Sequence, residues 1–295
     1  CIIKIAKEPF AQGADGIKIL KAKNKIFPEY LFHYLKHNEV VMEDYKRHYS
    51  ILKDKVVVYP NIDSGEQQKI ADCLSSSDEV IAAHSQKLEL LKEHKKGLMQ
   101  NLFPQKGEKV PKLRFPEFVK EGEWKIEILG KLSKEITEKT KGRKYKLMSI
   151  TSGYGLVSQI KKFGREIAGN SYDNYYVIKN CDFAYNKSST KLFTEGEIAM
   201  FEDEEIGAVP NSIFTCFRFD QNIIYPFFAK YPFVNNLHGK WLRKFIAVGA
   251  RANGALQVNS KDLFSIPFAF PSLKEQQKIA FCLSSLDALI TAQAE

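Results

Sequence analysis

Few residues in this chain are spaced for catalysis. GREIAGNS (Gly164 to Ser171) approaches a phosphate-cradling loop, but Asn170 stands where a lysine must reach the phosphates. Without that charge the motif fails. SGYG (Ser152 to Gly155) is too short for a dinucleotide or methyl-donor fingerprint, and neither HExxH nor GxSxG occurs. The Asn/Asp-Pro-Pro-aromatic tetrapeptide used for methyl transfer to amino groups is also missing. Acid-x-Lys triplets such as Glu123-Trp124-Lys125 are expected by chance among 44 bases. Glu202 to Glu205 put four carboxylates on one short stretch, where neighbours rarely converge on a cation, so they read as a solvated acidic loop. The five cysteines are dispersed without CxxC pairs and read as reduced, buried thiols in a cytoplasmic protein. No catalytic residue, metal or cofactor is expected in this chain, and no run is apolar enough to span a membrane.

The chemistry that does stand out is anion binding. The formal charge is +9, and it is segregated. Lys139 to Arg165 holds eight bases and no acid, Gln221 to Lys261 six bases and no acid, and Glu195 to Glu205 six acids and no base. Tyr145, Tyr154 and Phe163 interleave with the first set, a composition suited to nucleic acid. The candidate DNA contacts are Lys141, Arg143, Lys144, Tyr154, Lys161, Lys162, Arg165, Asn186, Lys187, Arg243, Lys244, Arg251 and Asn253. Bases among them would hold phosphates, while Arg143, Arg165, Asn186, Arg251, Asn253 or Gln257 are of types that read base edges.

The elements that must position these residues are marked by a repeat. Glu66–Ala83 and Glu275–Ala292 are identical at 13 of 18 positions without a gap, both opening EQQKIA. IFPEYL (Ile26 to Leu31) echoes IYPFFA (Ile224 to Ala229), so the segment before each copy is related too. The first copy continues without proline to Phe103, a helix of about 57 Å at 1.5 Å per residue. Asp63 or Ser64 can cap its start and Pro104 ends it. A heptad seam runs through Ile70, Leu74, Ile81, Leu88, Leu91, Leu98 and Leu102, interrupted by Ser77, His84 and Lys95. The second copy keeps the phase with Ile279, Leu283, Leu286 and Ile290. On pattern alone this is either a coiled-coil pair or core helices of a bundle. Between the helices, runs such as KYKLMSI, YYVIKNCDFAYN and NSIFTCFRF alternate with glycine turns, predicting a mixed α+β domain.

In order along the chain, KGLMQNLFP, PKLRFPEF, GEWKIEILG, CDFAYNKSS and FPSLKEQQKIA resemble the specificity subunit of type I DNA restriction–modification systems. The resemblance implies an α+β fold: mixed α/β target recognition domains joined by long helices that pair as an antiparallel coiled coil. It implies a non-catalytic adaptor that reads half of a bipartite sequence in double-stranded DNA. The helices, through the seam residues above, would dock modification (methyltransferase) subunits, and a restriction subunit would join the complex. S-adenosylmethionine, ATP and Mg are then expected on those partners. Residues 1–62 become the rear of a first recognition domain, 63–106 the first conserved helix, 107–272 a complete second domain and 273–295 the start of a second helix. A whole molecule of that plan extends past both ends of this sequence, so the chain is expected to be truncated and able to pair with a second copy of itself. The alternatives are a coiled-coil scaffold without specific DNA affinity and the specificity domain of a fused restriction enzyme.

Overall fold

The computed structural model describes residues 2–13, 17–38, 48–168, 171–246 and 254–294. The fold is α+β, and the chain divides into two compact units, Cys1–Glu89 and Leu90–Glu295.

The first unit holds α1 (Pro28–His37), α2 (His48–Lys53) and most of α3 (Glu66–Asn101). Proline at the first position of α1 supplies a preset φ where no N–H is needed. Gly65 turns the chain into α3 at φ 69°, and Ser64 Oγ accepts the Glu66 N–H at 3.3 Å. The second residue of α3, Gln67, is 1% exposed. Its Oε1 accepts the Phe27 N–H (2.8 Å), and its Nε2 donates to the carbonyls of Lys25 (3.0 Å) and Pro60 (2.7 Å). Three backbone groups with no helical or sheet partner are thereby satisfied by one side chain. Further along the same face Ala71 is fully buried, Ser75 bonds His33, and Asp78 pairs with Lys36.

That face, with steps of four, four and three, is the one α1 covers. The heptad seam lies on the neighbouring face. Leu74 and Ile81 remain 43% and 62% exposed, while Ile70 and Leu88 are half-buried.

The second unit continues as β1 (Lys125–Ile128), α4 (Leu129–Leu132), β2 (Ser133–Ile136), β3 (Lys146–Thr151), β4 (Gly155–Ser158), α5 (Gln159–Phe163), β5 (Tyr176–Ile178), β6 (Phe183–Asn186), β7 (Glu197–Met200), β8 (Gly207–Val209), β9 (Phe214–Phe219), α6 (Pro226–Val234), α7 (Leu237–Leu242), α8 (Ser260–Phe264), β10 (Pro267–Phe270) and α9 (Leu273–Ala294). One sheet has the order β2-β9-β6-β7, all antiparallel. A second has the order β4-β3-β8-β5, with β3 and β8 parallel, and β1 pairs with β10.

Alternation along β6 shows how the layers form. Phe183 and Tyr185 point into a helix-covered core with Phe217, Phe219, Phe233 and Phe268, where the Phe183 and Phe217 rings stack at 5.4 Å. Ala184 points the other way and faces Cys216 and Ala199 across its two strand pairs. This row of small side chains belongs to the cluster shared with Met148, Ile150, Ile178 and Val209 of the other sheet. Burial pushes the Cys216 thiol far up, which leaves it unreactive. Cys73, by contrast, is exposed on α3, so the sequence expectation of buried thiols fails there: in the first unit α1 covers a different face of that helix.

The second copy of the repeat rebuilds the first. Gln276, fully buried, accepts the Tyr225 N–H (2.8 Å) and donates to the carbonyls of Ile223 and Pro271 (both 2.9 Å). Asp287, the counterpart of Asp78, accepts from the Tyr231 hydroxyl at 3.0 Å and pairs with Lys95. Here α9 also buries its seam: Ile279 and Leu283 share one core with Leu98 and Leu102. Lys95 meets Asp287, whereas Leu113, bonded to the Asn101 carbonyl, precedes Arg114, whose guanidinium forks onto Glu275. Over Leu90–Asn101, α3 therefore runs antiparallel to α9. Leu91, Leu286 and Ile290 are half-buried.

Candidate nucleic-acid interface

The hairpin joining β3 to β4 turns on Thr151 to Tyr154, with the Tyr154 N–H on the Thr151 carbonyl at 2.8 Å. Gly153 at φ 81° and Gly155 at φ 75° permit the turn, which lifts the Tyr154 ring to 84% exposure. Next comes α5, capped by Ser158 and closed by Gly164, with Lys161 on its surface and Arg165 just beyond, both exposed. Lys162 folds back instead. Its Nζ donates to the Ile150 carbonyl and to Ser149 Oγ, and lies 5.0 Å from the Phe163 ring centre. Burial lowers its pKa against the opposing pull of Glu197. Lys162 thus braces the hairpin.

One further segment meets this tip, and another backs it. Ser152 Oγ bonds Thr190 Oγ1 at 3.0 Å, and Leu192, 67% exposed, lies beside Gly153. The loop 187–192 is tied in turn to 254–256: the Ser189 N–H reaches the Gly254 carbonyl and the Leu256 N–H the Lys187 carbonyl, both at 2.8 Å. Tyr154, Lys161, Arg165, Lys187 and Lys191 therefore stand on connected segments. Sequence reasoning missed Lys191 and Leu192, although KSSTKLF follows a strand with the hydroxyl-rich spelling of a loop. Asn186 ends β6 only 9% exposed, and its Oδ1 has no partner among the described residues. Arg251 and Asn253 lie outside the described residues.

Lys141, Arg143 and Lys144 occupy a different turn. Positive φ at Lys141 (48°) and Gly142 (80°), with the Arg143 N–H on the Thr140 carbonyl at 3.0 Å, gives a type I′ turn. Tyr172 anchors it, donating its hydroxyl to the Arg143 carbonyl (2.7 Å) and accepting the Tyr145 N–H (2.9 Å). All three bases are exposed.

The acidic stretch is threaded among bases. Lys146 pairs with Asp203 (2.7 Å), and Lys230 with Glu202 (3.0 Å). Glu195, 4% exposed, takes both Nε (2.7 Å) and Nη2 (2.5 Å) of Arg243 on Oε1. Burial raises its pKa, but the hydrogen bonds, Arg243 foremost, hold it below the usual carboxylate range. Gly196 at φ 86° has no room for a side chain, because a Cβ there would lie 2.5 Å from the Asn186 carbonyl. Glu197 is also 4% exposed, and its Oε1 takes the Gly153 N–H at 3.4 Å. Lys244 lies over the Trp241 ring.

His238 is fully buried, with Nε2–H donating to the Gly196 carbonyl at 2.8 Å. Burial, only partly opposed by that bond and by Glu195, pulls its pKa down to about 4 from 6.5. A folded-state pKa below the unfolded value means that the unfolded chain binds more protons between the two. Stability is then complete above pH 6.5 and falls as the pH drops toward 4, by about 3 kcal/mol in all at 1.36 per unit. Urea midpoints between pH 7 and 4.5 should show this fall, and His238→Gln should flatten it. An equal slope in that variant would assign the acid sensitivity elsewhere.

Among the described residues, no group of three or more His, Cys, Asp or Glu side chains could hold a metal ion. No described helix is long and apolar enough to cross a membrane.

The fold and this surface define a mixed α/β unit that carries basic and aromatic loops and is entered and left by related helices. No protein-family model and no curated protein matches the chain. Solved structures do. It is similar to the HsdS subunit from Thermoanaerobacter tengcongensis, at 15% identity over 92% of this chain and 65% of that one, with a TM-score of 0.49. It is similar to the type I restriction–modification system S subunit from M. genitalium, at 12% identity over 90% and 67%, with a TM-score of 0.47. A third similar structure, described as the basis of complex assembly and conformational transition of the type I R-M system, gives 15% identity over 92% and 67%, with a TM-score of 0.42. The chain spans less than two thirds of the first of these.

Proposed function

We propose that this chain is a DNA sequence-specificity subunit of a type I restriction–modification complex that performs no chemistry itself. On this reading 107–272 is a complete target recognition domain that reads half of a bipartite site in double-stranded DNA. Residues 1–62 are the rear of another such domain, and 63–106 and 273–295 are the helices that dock modification subunits in the cytoplasm. S-adenosylmethionine, ATP and Mg belong to the modification and restriction partners. The observation that supports it most is the doubled glutamine clamp. Gln67 and Gln276 build the same helix entry twice, flanking an α/β unit whose β3–β4 hairpin, α5 and loop 187–192 carry Tyr154 and exposed bases. Such a plan needs matched helix entries to hold two recognition units at a set distance.

The triple variant Lys161→Gln, Arg165→Gln, Lys191→Gln is expected to weaken duplex binding and to reduce the salt slope by about 2.7, at about 0.9 per phosphate contact. An unchanged slope in fluorescence anisotropy would remove this surface from the interface. In cells carrying the whole system, deleting the gene should abolish one bipartite methyladenine motif. A methylome that keeps every motif would overturn the assignment.

A further inference from the structure

Glu195 and Glu197 are acids within a surface otherwise suited to DNA, where each should weaken binding by repelling phosphate. Both are nevertheless buried, and each is bonded to an element that carries candidate contacts. The Glu197 carboxylate takes the backbone N–H of Gly153, next to the exposed Tyr154 ring. The Glu195 carboxylate takes two Arg243 donors, with Asn236 Nδ2 at 3.4 Å from its second oxygen. The stretch that joins them is itself held on three sides. The Tyr185 hydroxyl donates to the Glu195 carbonyl (2.8 Å), His238 to the Gly196 carbonyl (2.8 Å), and Gly196 fits against β6 only without a side chain. A rigid three-residue bar therefore has the hairpin tip at one end and the end of α7 at the other.

We propose that Glu195 and Glu197 are positioning residues for DNA recognition, fixing the hairpin tip and Arg243 relative to one another so that their side chains meet one duplex in register. The proposal rests on the DNA-binding reading above. It predicts an effect opposite in sign to simple electrostatics. Loss of an acid that merely repels phosphate tightens binding to every duplex, whereas loss of a positioning acid weakens binding to the preferred duplex.

The test uses the full chain with its modification subunits and a duplex that the wild type selects from a random-sequence library, alongside an unrelated duplex. Glu197→Ala and Glu195→Gln are expected to lower the ratio of selected to unrelated affinity by about tenfold, roughly one lost base contact. Glu197→Gln, which keeps an oxygen for the Gly153 N–H, is expected to recover part of that loss. Glu204→Gln removes an exposed acid of the same stretch and should tighten both duplexes slightly. If Glu197→Ala and Glu195→Gln behave like Glu204→Gln, the proposal is overturned. Hydrogen exchange at the Gly153 amide gives a readout independent of DNA, expected to quicken by about tenfold or more in Glu197→Ala and to stay unchanged in Glu204→Gln. An unchanged Gly153 rate in Glu197→Ala also overturns it. A wild type that selects no duplex sinks the proposed function, and the exchange measurement still decides whether Glu197 holds the tip.

Discussion

Arg114→Met is expected to destabilise the second unit by about 3–5 kcal/mol, the usual effect of stripping one partner from a buried ion pair. The Arg114 and Glu275 side chains are 7% and 1% exposed, and the guanidinium forks onto both carboxylate oxygens at 2.9 and 2.7 Å. A third donor, Nη1, reaches the Gly122 carbonyl. Removing the arginine leaves a carboxylate at the start of α9 without water or a counter-ion. Pairing the change with Glu275→Leu should restore much of the loss, since an apolar pair of similar volume has no charge to solvate. Lys278→Met serves as control. Its ion pair with Glu117 has both side chains about half exposed, so its loss should stay below about 0.5 kcal/mol. Urea denaturation of the three variants settles the matter, and a loss under about 1 kcal/mol for Arg114→Met would show that the pair is replaced by water.

Gln276→Leu should cost about 4 kcal/mol. It preserves volume but leaves the Tyr225 N–H and the Ile223 and Pro271 carbonyls buried without partners, at about 1–3 kcal/mol each. Gln276→Glu is a sharper probe. It keeps the acceptor for Tyr225 but sets a carboxylate oxygen against two carbonyls, so it should be rescued at low pH, where a proton restores one donor. A denaturation midpoint within error of wild type for Gln276→Leu would mean that the clamp is incidental to the fold.

These two residues also mark how far the sequence could be read. The repeat was plain because the same letters recur in phase, and the β runs of the middle domain were plain from their aromatic and β-branched composition. The work of the repeated glutamine was hidden. Its partners lie 40 and 51 residues away, at Phe27 and Tyr225, and no local pattern links a helical amide to a distant backbone. Charge segregation was legible, but its meaning was not. Arg243 and Glu195 are 48 positions apart, so no local pattern separates the buried Glu195 and Glu197 from the exposed acids of the Glu202–Glu205 run. Lys162 looked equivalent to Lys161, and only the backward path of its side chain over Phe163 separates brace from contact. The exposure of Leu74 and Ile81 was hidden for a related reason. Periodicity identifies an apolar face, but the elements that cover it are set by tertiary packing, and within the first unit α1 takes the adjacent face.

The narrow row Cys216–Ala184–Ala199 has a consequence for measurement. A thiol with neighbours on every side cannot meet a maleimide or a disulfide reagent until the two sheets part, whereas Cys73 reacts from the folded state. The chain therefore carries its own timer. After the rapid labelling of surface thiols, the slow arrival of the last label reports how often the two sheets of the second unit part.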